Sequence, residues 1–554
     1  MKLQRKIKRN IERILAGAAL AAMLATPAFA LPQNPNVVVG NGQIIVDNGA
    51  GGIMNIAVGA NGVIDWSSFS IASGESVNFN FSDTLAVLNR VTGTDMSVLN
   101  GALNSTGNGS IFLVNPNGVL VGQGATINAN NLVLSTLDVD NAHFMNWANK
   151  TGDTLSFDKG SQAGSAKAIT VESGINGVNE SLILIGGSVS IAPNISIESI
   201  GGNIFVAAAD KAVIHKNGGM DITATPNNSI TLDNANILNP NGDIFLLGGK
   251  VEMINATGTN GKIEGRQVLI GAGSKVGITA ADGGAWYYFS PYFKSGQGNT
   301  VTVGQGATLI GHDESGILAN AITNAGRIES PFSLDAYDER ANDGRILAIS
   351  ENNKIINKGT ISFTLTGYEE GHDSVLDIAG GSFDNTDGTI EISGTRADGS
   401  TDGVVFIYAK NGVKGVDLAD NRIKVLTGDL TDPNIPSNPD IDEILNGGGS
   451  FEAKQEQIIA VVKDINQLPS GEQGSVIAGV MGSIAGNTDL SMIERNRLLN
   501  SVVNTYEGTA AGKKEADNQN SVNQAGTTGD TNSSDSMPAF IVGESENPII
   551  IEQQ

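Results

Sequence analysis

The chain of 554 residues contains no cysteine. Without disulfides, its stability must come from apolar burial and a regular hydrogen-bond ladder, and thiol catalysis is excluded. Aromatic residues make up only 5% of the sequence, which indicates a core filled mainly by aliphatic side chains. Cations are also scarce, with 33 Lys and Arg against 58 Asp and Glu, so the formal net charge is −25. The phosphates of nucleic acids and of anionic membranes would repel such a chain.

Apolar runs long enough to cross a bilayer are missing as well. The run from Ile14 to Ala25 follows a basic segment and is shorter than the about 20 residues that a membrane-spanning helix needs. It precedes a small-x-small cleavage site formed by Ala28 and Ala30. Residues 1–30 therefore have the organisation of a signal peptide, and the sequence predicts an exported chain without a membrane span.

Glycine and short alternating apolar segments are abundant. The 71 glycines imply many tight turns, and similar short sequence segments recur along the chain through residue 426. Gly202-Asn-Ile-Phe-Val206 and Gly242-Asp-Ile-Phe-Leu246 begin 40 residues apart, which predicts two coils of about 20 residues each and roughly 18 to 20 coils in all. A β-sandwich would also alternate, but it would not repeat its turn chemistry with a coil-like period. We predict an all-β fold, a right-handed parallel β-helix with an N-terminal cap.

The composition changes after residue 427. Residues 429–440 carry three prolines among Asp and Asn, which is typical of a linker. A helical period follows, with Ser450 as an N-cap and with Phe451, Ile458, Val462 and Ile465 on one face. We expect these helices to cap the open end of the rod; contact with a partner and a small separate bundle are the alternatives. A polar, small-residue-rich tail predicts disorder.

The most specific local pattern lies at residues 111–122. Two short apolar runs flank Asn115-Pro-Asn-Gly118. Pro116 fixes φ, and Asn117 and Gly118 tolerate left-handed backbone angles, so the pattern predicts a turn between two strands. The two strands would share an interior formed by Ile111, Leu113, Val119 and Val121.

Three further segments lie upstream, at residues 64–69, 74–79 and 87–93. Together with the turn, they resemble the N-terminal secretion domain of filamentous-haemagglutinin-like exoproteins, the large passengers of two-partner secretion, over about residues 37–139. The resemblance implies a capped β-helix. It also implies recognition in the periplasm by a dedicated outer-membrane transporter with periplasmic recognition domains.

The resemblance also implies a secretion motif in this chain. By position, it consists of Asn89, Arg90, Thr92, Gly93, Asn115, Pro116, Asn117 and Gly118. The family's second signature, Asn-Pro-Asn-Leu, is not at its usual place, because Asn34-Pro-Asn-Val37 lies too early and Asn239-Pro-Asn-Gly242 too late. The chain also lacks a long adhesive repeat array.

Arg90 is the only arginine between residues 31 and 149, where lysine is absent. One interpretation is that a turn-rich apolar segment has little use for long cationic side chains. The other is that Arg90 has a fixed structural partner such as Asp65 or Glu75.

These observations predict a division of the chain into six segments. They are a signal peptide (1–30), a two-partner secretion domain (31–270, family-like core 37–139), a continuation of the β-helix (271–427), a linker (428–440), a helical region (441–506) and a disordered tail (507–554).

Patterns that carry catalysis or bind metals are weak. Residues 335–345 contain clustered carboxylates and arginines but match a solvated loop equally well. The histidines do not form a metal-binding arrangement, and the Asp- and Asn-rich turns at 384–388 and 398–402 lack the distal Glu of a calcium loop. We therefore predict no enzymatic activity, no cofactor and no metal.

The resulting functional hypothesis is a secreted or surface-displayed exoprotein of a diderm bacterium that is exported through Sec and a partner outer-membrane transporter. We expect an adhesin that binds a host-cell, matrix or glycan receptor, and not nucleic acid. The alternatives are an exported ligand-capture factor and a carbohydrate-active β-helix enzyme.

Overall fold

A computed structural model of the chain describes residues 31–48, 51–160, 166–199, 201–216, 218–254, 261–280, 287–289, 293–312, 315–329, 332–336, 339–340, 347–348, 350, 352–364, 376–393, 405–420, 422–426, 439–448, 450–467, 476, 480, 483–484, 487, 498, 501–502 and 505. The predicted signal peptide with Ala28 and Ala30, most of the predicted linker and the predicted disordered tail lie outside these residues.

Most described residues belong to short strands. In chain order the strands are β1 (Asn36–Val39), β2 (Ile44–Asn48), β3 (Ile53–Val58), β4 (Gly62–Trp66), β5 (Ser76–Phe81), β6 (Ala86–Val91), β7 (Ser97–Leu99), β8 (Ala102–Thr106), β9 (Ser110–Val114), β10 (Val119–Val121), β11 (Thr126–Ala129), β12 (Asn131–Ser135), β13 (Asp138–Val139), β14 (Thr154–Asp158), β15 (Ala168–Val171), β16 (Ile175–Val178), β17 (Leu182–Gly186), β18 (Ser188–Ile191), β19 (Ser196–Ser199), β20 (Ile204–Ala208), β21 (Lys211–His215), β22 (Met220–Thr223), β23 (Ser229–Asp233), β24 (Asn236–Asn239), β25 (Ile244–Gly248), β26 (Lys250–Ile254), β27 (Lys262–Gly265), β28 (Val268–Ala272), β29 (Lys275–Ala280), β30 (Tyr287–Phe289), β31 (Phe293–Lys294), β32 (Thr300–Val303), β33 (Thr308–Gly311), β34 (Ser315–Ala319), β35 (Ala321–Asn324), β36 (Arg327–Glu329), β37 (Phe332–Ala336), β38 (Glu339–Arg340), β39 (Leu347–Ala348), β40 (Lys354–Asn357), β41 (Thr360–Thr364), β42 (Leu376–Gly380), β43 (Ser382–Asp384), β44 (Thr389–Ser393), β45 (Val405–Ala409), β46 (Val413–Lys414) and β47 (Ile423–Leu426). The helices are α1 (Asn141–Ala148), α2 (Pro439–Asn446) and α3 (Phe451–Ile465).

Three long sheets organise these strands. The first sheet has the order β1-β4-β6-β9-β12-β17-β20-β25-β28-β34-β37-β42-β45-β47. The second has the order β46-β43-β40-β35-β32-β26-β23-β18-β15-β10-β7, and the third β2-β3-β5-β8-β11-β16-β19-β24-β27-β33-β36-β41-β44. From β6 onwards the chain visits the first, second and third sheets in turn, and each strand pairs in parallel with its counterpart in the next coil. The fold is therefore the parallel β-helix that the sequence predicted.

Two antiparallel strands close the N-terminal end. β1 pairs antiparallel with β4, and β2 pairs antiparallel with β3. From β3 onwards the described pairs within the three sheets are parallel. Ile44, at the start of β2, is buried in the core. This arrangement agrees with the predicted N-terminal cap.

The coils are longer and fewer than predicted. Ile204 in β20 pairs directly with Ile244 in β25, so the chain between the similar segments 202–206 and 242–246 forms one coil and not two. The additional residues form β21 and β22, which belong to none of the three parallel sheets. The described residues place 14 strands in the first sheet, and the prediction of roughly 18 to 20 coils was wrong because insertions lengthen several coils.

The interior of the coils holds one continuous, mainly aliphatic core. Ile111 and Leu113 of β9 and Val119 and Val121 of β10 are fully buried in it. The interior that the sequence predicted for these two strands is therefore confirmed. Each such residue is buried only because the neighbouring coils cover it, which is why stability in a solenoid is shared between neighbours.

The first sheet is buried on both faces. All five positions of β9, β12 and β17 are buried, because a second apolar cluster covers the outer face of the sheet. The cover consists of α1 and of a fourth, antiparallel sheet with the order β13-β14-β21-β22-β29-β31-β38-β39, to which β30 is added beside β29. Strands covered on both faces are continuously apolar and do not alternate.

Polar side chains stack from coil to coil where the chain turns between sheets. Asn324 Nδ2 donates to Asn357 Oδ1 at 2.8 Å, and Asn357 Nδ2 donates to Asn385 Oδ1 at 2.7 Å. All three side chains are buried, and Asn385 Nδ2 donates to the carbonyl of Gly415 at 2.9 Å. The ladder gives each buried amide the hydrogen bonds that it would otherwise make with water.

The C-terminal helices have an apolar core of their own. Ile458, Val462 and Ile465 of α3 are buried against Ile441 and Leu445 of α2 and against Val480, Ile484, Leu498 and Val502. The hydroxyl of Ser450 accepts from Ala453 N at 3.3 Å, as expected for an N-cap. Every described residue of this cluster lies after residue 440, so the described helices pack against one another, and the expected cap on the rod stays a prediction. No helix within the described ranges is both long and apolar enough to cross a membrane.

The buried amide ladder yields a stability prediction. Replacing Asn357 with Ala removes both of its ladder bonds, so the Asn324 and Asn385 side chains each lose one buried hydrogen bond, and we expect the free energy of unfolding to fall by about 1–3 kcal/mol. Asn352→Ala, at an exposed position, is the matched control and should be neutral. Denaturant unfolding of the purified chain measures both. Equal stability of the two variants would contradict a contribution from the ladder.

Candidate functional site

The predicted turn at residues 115–118 joins β9 of the first sheet to β10 of the second. Gly118 N donates to Asn115 O at 3.0 Å, which closes the turn, and Gly118 has a φ of 119°. An Asn side chain also folds back onto this turn, since Asn117 N donates to Asn115 Oδ1 at 2.9 Å. The turn predicted from Asn-Pro-Asn-Gly is therefore present at the predicted place.

Asn115 connects this turn to the preceding coil. Its side chain is fully buried, and its Nδ2 donates to Asp95 O and to Ser97 Oγ, each at 2.9 Å. Asn117 Nδ2 donates to Gly93 O at 2.8 Å. Asn117 thereby connects the two parts of the predicted secretion motif directly across neighbouring coils.

Asn89, from the upstream part of the motif, is buried in the same stack. Trp66 Nε1 donates to Asn89 Oδ1 at 3.1 Å, and Asn89 Nδ2 donates to Phe112 O at 3.1 Å. Its amide therefore connects the coil before it to the coil after it. Thr92 Oγ1 donates to Trp66 O at 3.0 Å on the side of the preceding coil.

Arg90 has fixed partners, although the main one was not predicted. Its Nε lies 2.9 Å from Asp138 Oδ1, and its Nη1 lies 3.8 Å from Asp65 Oδ1. The guanidinium also donates to Asn141 Oδ1 and to Val139 O. Of the two partners suggested from the sequence, Asp65 is close, whereas Glu75 accepts from Ala72 N in its own turn.

Exposure divides the motif into two groups. Asn89 and Asn115 have no exposed surface, whereas Thr92 is exposed and Pro116 and Asn117 are half-buried. A partner that touched the folded coils could reach the second group but not the two buried amides.

A second Asn-Pro-Asn-Gly occurs at residues 239–242. It joins β24 of the third sheet to β25 of the first, which is a different corner of the coil. Gly242 N donates to Asn239 O at 3.1 Å, and Asn239 Nδ2 donates to Gly202 O in the preceding coil at 2.6 Å. The tetrapeptide therefore encodes a corner with a buried amide, and its place in the chain distinguishes the two copies.

Other candidate sites remain dispersed. His215 Nε2 lies 2.8 Å from Asp221 Oδ2, and His312 Nε2 lies 3.2 Å from Glu264 Oε1. Hydrogen bonding from Lys262, with a smaller contribution from His312, holds the pKa of Glu264 below its usual value. Within the part of the chain that the structure describes, no three His, Asp or Glu side chains are close enough to share a metal ion. Parts of 335–345 and all of 398–402 lie outside the described residues.

Sequence reasoning missed the residues that hold α1. Asp140 caps this helix by accepting from Ala142 N at 2.9 Å and His143 N at 3.1 Å. An Asp before an apolar segment is a recognisable helix start, so this signal was available in the sequence. The contacts from the helix to Asn61 and Arg90 span many residues, and the sequence contains no signal for them.

Two glycines of the motif should differ in their tolerance to alanine. A Cβ at Gly93 would lie 2.0 Å from Ser67 O, so the two coils would have to move apart. A Cβ at Gly118 would meet nothing closer than 3.5 Å, and only the positive φ would cost energy, about 1–3 kcal/mol. We expect Gly93→Ala to lower the free energy of unfolding more than Gly118→Ala in denaturant unfolding. The reverse order would contradict the close packing of the coils at Gly93.

Comparisons with known proteins identify the family of the chain. A family model described as TPS secretion domain matches residues 26–363, more than half of the chain. A heme/hemopexin-binding protein of Haemophilus influenzae is 37% identical over 129 residues, which are 23% of this chain and 13% of that protein. A protein of the same description from Haemophilus influenzae strain Rd is 36% identical over 135 residues, 24% of this chain and 14% of its own length. The chain therefore spans only a small part of the length of these relatives.

Two solved structures are also similar. The HMW1 secretion domain from Haemophilus influenzae has a TM-score of 0.43 and 20% identity, with 72% of this chain and 100% of that chain covered. The filamentous hemagglutinin secretion domain has a TM-score of 0.31 and 14% identity, with coverage of 70% and 99%. The family model decides the assignment. The chain belongs to the TPS secretion-domain family: it is an exoprotein of two-partner secretion, exported across the outer membrane of a Gram-negative bacterium.

Proposed function

We propose that the first coils of the rod carry the export signal and that the partner transporter binds this signal in the unfolded chain. The burial of Asn89 and Asn115 carries the proposal. A side chain without exposed surface cannot contact a transporter while the coil around it is closed. The same two amides then stabilise the coils after export, so the motif acts first in recognition and afterwards in folding.

The parallel architecture supports folding during export. A strand that leaves the transporter finds its hydrogen-bond partners in the coil before it, as Ile111 in β9 does with Val87 in β6. Each added coil buries further apolar surface, which favours outward movement of the chain. No disulfide has to form for this to happen, because the chain has no cysteine.

The two Asn-Pro-Asn-Gly corners give a controlled test of the export signal. We expect Asn115→Ala to lower the amount of full-length protein in the medium by about tenfold, whereas Asn239→Ala should stay near the native amount. Both changes remove a fully buried corner amide, but only Asn115 lies in the proposed signal. Quantitative immunoblotting of medium and periplasm measures the effect. Equal losses would show that these residues act in folding alone.

For the exported rod we further propose an adhesive role at the cell surface, with a host-cell, matrix or glycan receptor. The β-helix is a long scaffold, and the strands of its third sheet alternate buried with more exposed positions, so one face of that sheet is open to a receptor. The net charge of −25 favours a receptor surface that carries cations.

Ligand capture is the second candidate, and the printed name of the heme/hemopexin-binding relatives favours it. Those matches cover only 13% and 14% of the relatives, so most of each relative has no counterpart in the match. A carbohydrate-active enzyme is the third candidate and would require several aligned carboxylates on one face.

Binding assays separate these candidates. We expect the purified exported chain to bind cells or matrix saturably, and the binding should weaken as salt rises from about 0.1 to 0.5 M because charge attraction is screened. Excess unlabelled chain is the control for specific binding. Tighter binding to heme or hemopexin than to any cell surface would favour capture, and turnover on a polysaccharide panel would establish the enzyme.

A further inference from the structure

Residues 138–149 cover the outer face of the first sheet over its earliest coils; this segment is called the clasp. It contains β13 and α1 and leaves the coil directly after β12. Its apolar side chains belong to the cluster on the outer face of the sheet and not to the core inside the coils. The clasp is therefore a layer added onto the coils from outside.

Aromatic packing holds the centre of the clasp. The rings of Phe144 and Trp147 lie 5.1 and 5.6 Å from the ring of Phe112, both edge to face. Phe112 is on β9, and its neighbours Leu88 on β6 and Val133 on β12 belong to the same outer cluster. Removal of the clasp would expose these apolar side chains to water.

Polar contacts fix both ends of the clasp. At its start, Arg90 pairs with Asp138 at 2.9 Å and donates to Val139 O and Asn141. At its end, Asn61 Nδ2 donates to Ala148 O at 2.9 Å and to Asn149 Oδ1 at 3.0 Å. Arg90 is the only Lys or Arg between residues 31 and 149. It is therefore the only cationic side chain in this part of the chain with which the Asp138 carboxylate can pair.

Chain order gives these contacts a consequence for export. Every strand beneath the clasp precedes it in the sequence, so the early coils can stack before the clasp has left the transporter. Their inner core can then form, but the outer face with Leu88 and Phe112 stays exposed until Trp147 arrives. Closure of the outer face is thus separate from the stacking of the coils.

We propose that the clasp closes over the stacked early coils, which contain β6, β9 and β12, in a step that follows their stacking, and that Arg90 and Asn61 are the positioning residues that direct its docking. The proposal rests on the proposed export function. It assigns Arg90, which the resemblance places in the secretion motif, to a contact within the chain.

The absence of native cysteine allows a direct test with thiol probes in the full-length secreted chain. Val87 and Leu88 are adjacent on β6 and fully buried, but Val87 faces the inner core and Leu88 the outer cluster. Each is replaced by Cys, and its rate of labelling by a maleimide is measured with the clasp native and with Trp147→Ala. His143→Ala, an exposed change on the same helix, is the matched control.

We expect Trp147→Ala to speed labelling of Leu88→Cys at least tenfold and to leave Val87→Cys protected. His143→Ala should change neither rate. An unchanged rate at Leu88→Cys would overturn the proposal. Equal acceleration at both probes would overturn it as well, because the clasp would then be inseparable from the coils.

Two further variants provide the test if Trp147→Ala is not secreted. A third variant separates this proposal from the export function. If Trp147→Ala does not reach the medium, the same probes are read in Asn61→Ala and Arg90→Leu, which remove anchors but no aromatic side chain of the clasp. Both should accelerate labelling of Leu88→Cys alone.

Secretion of Asn115→Ala is measured in parallel. Native secretion of that variant would count against the export function, whereas protected Leu88→Cys in every clasp variant would count against the clasp alone.

Discussion

The structure depends on one constraint: a strand of a parallel β-helix has no hydrogen-bond partner within its own coil. From β3 onwards, the ladder bonds of the three sheets are made to the coil before or the coil after, and buried amides such as Asn115 also bond to a neighbouring coil. Asn89 accepts from Trp66 in one coil and donates to the carbonyl of Phe112 in the other. Order therefore passes from coil to coil, and the first coils must be ordered by something else. The antiparallel strands β1 and β2 supply that start, because each pairs with the coil that it covers.

The same constraint bears on the proposed function, in which one short motif acts first as an export signal and then as a turn. A motif of exposed side chains could be recognised on the folded domain, but this one places its two central amides where folding removes them from contact. In the proposed function, the same atoms take part in recognition before the coil closes and in folding afterwards, but not in both at once. A transporter that binds the open form loses its ligand when the coil closes, so closure itself releases the chain.

The sequence predicted the repeating part of the fold better than its insertions. Inward apolar positions and turn residues such as Asn115 and Gly118 recur with the coil, so the β-helix and the inner core at Ile111 and Val119 could be predicted. The length of a coil could not be predicted. The segment shared by residues 202–206 and 242–246 occurs once per coil and gives no information about the hairpin β21–β22 that lies between the two copies. The turn at residues 115–118 could be predicted from local turn chemistry, whereas its assignment to a secretion motif comes from the resemblance and stays a prediction. The main partner of Arg90 could not be predicted, since Asp138 lies 48 residues further along the chain and no local pattern connects the two.

The outer cover of the first sheet also shows why continuous apolar strands are informative. A strand that faces water on one side should alternate, yet β9, β12 and β17 are buried at every position. Such strands require a second layer, and in this chain the layer comes from insertions between the coils and not from the coils themselves. Because an insertion follows the strand from which it departs, the cover over early coils always arrives after them. In a chain that leaves a pore from one end, inner core and outer cover are thus built in sequence, and the apolar outer face is exposed for the interval between the two.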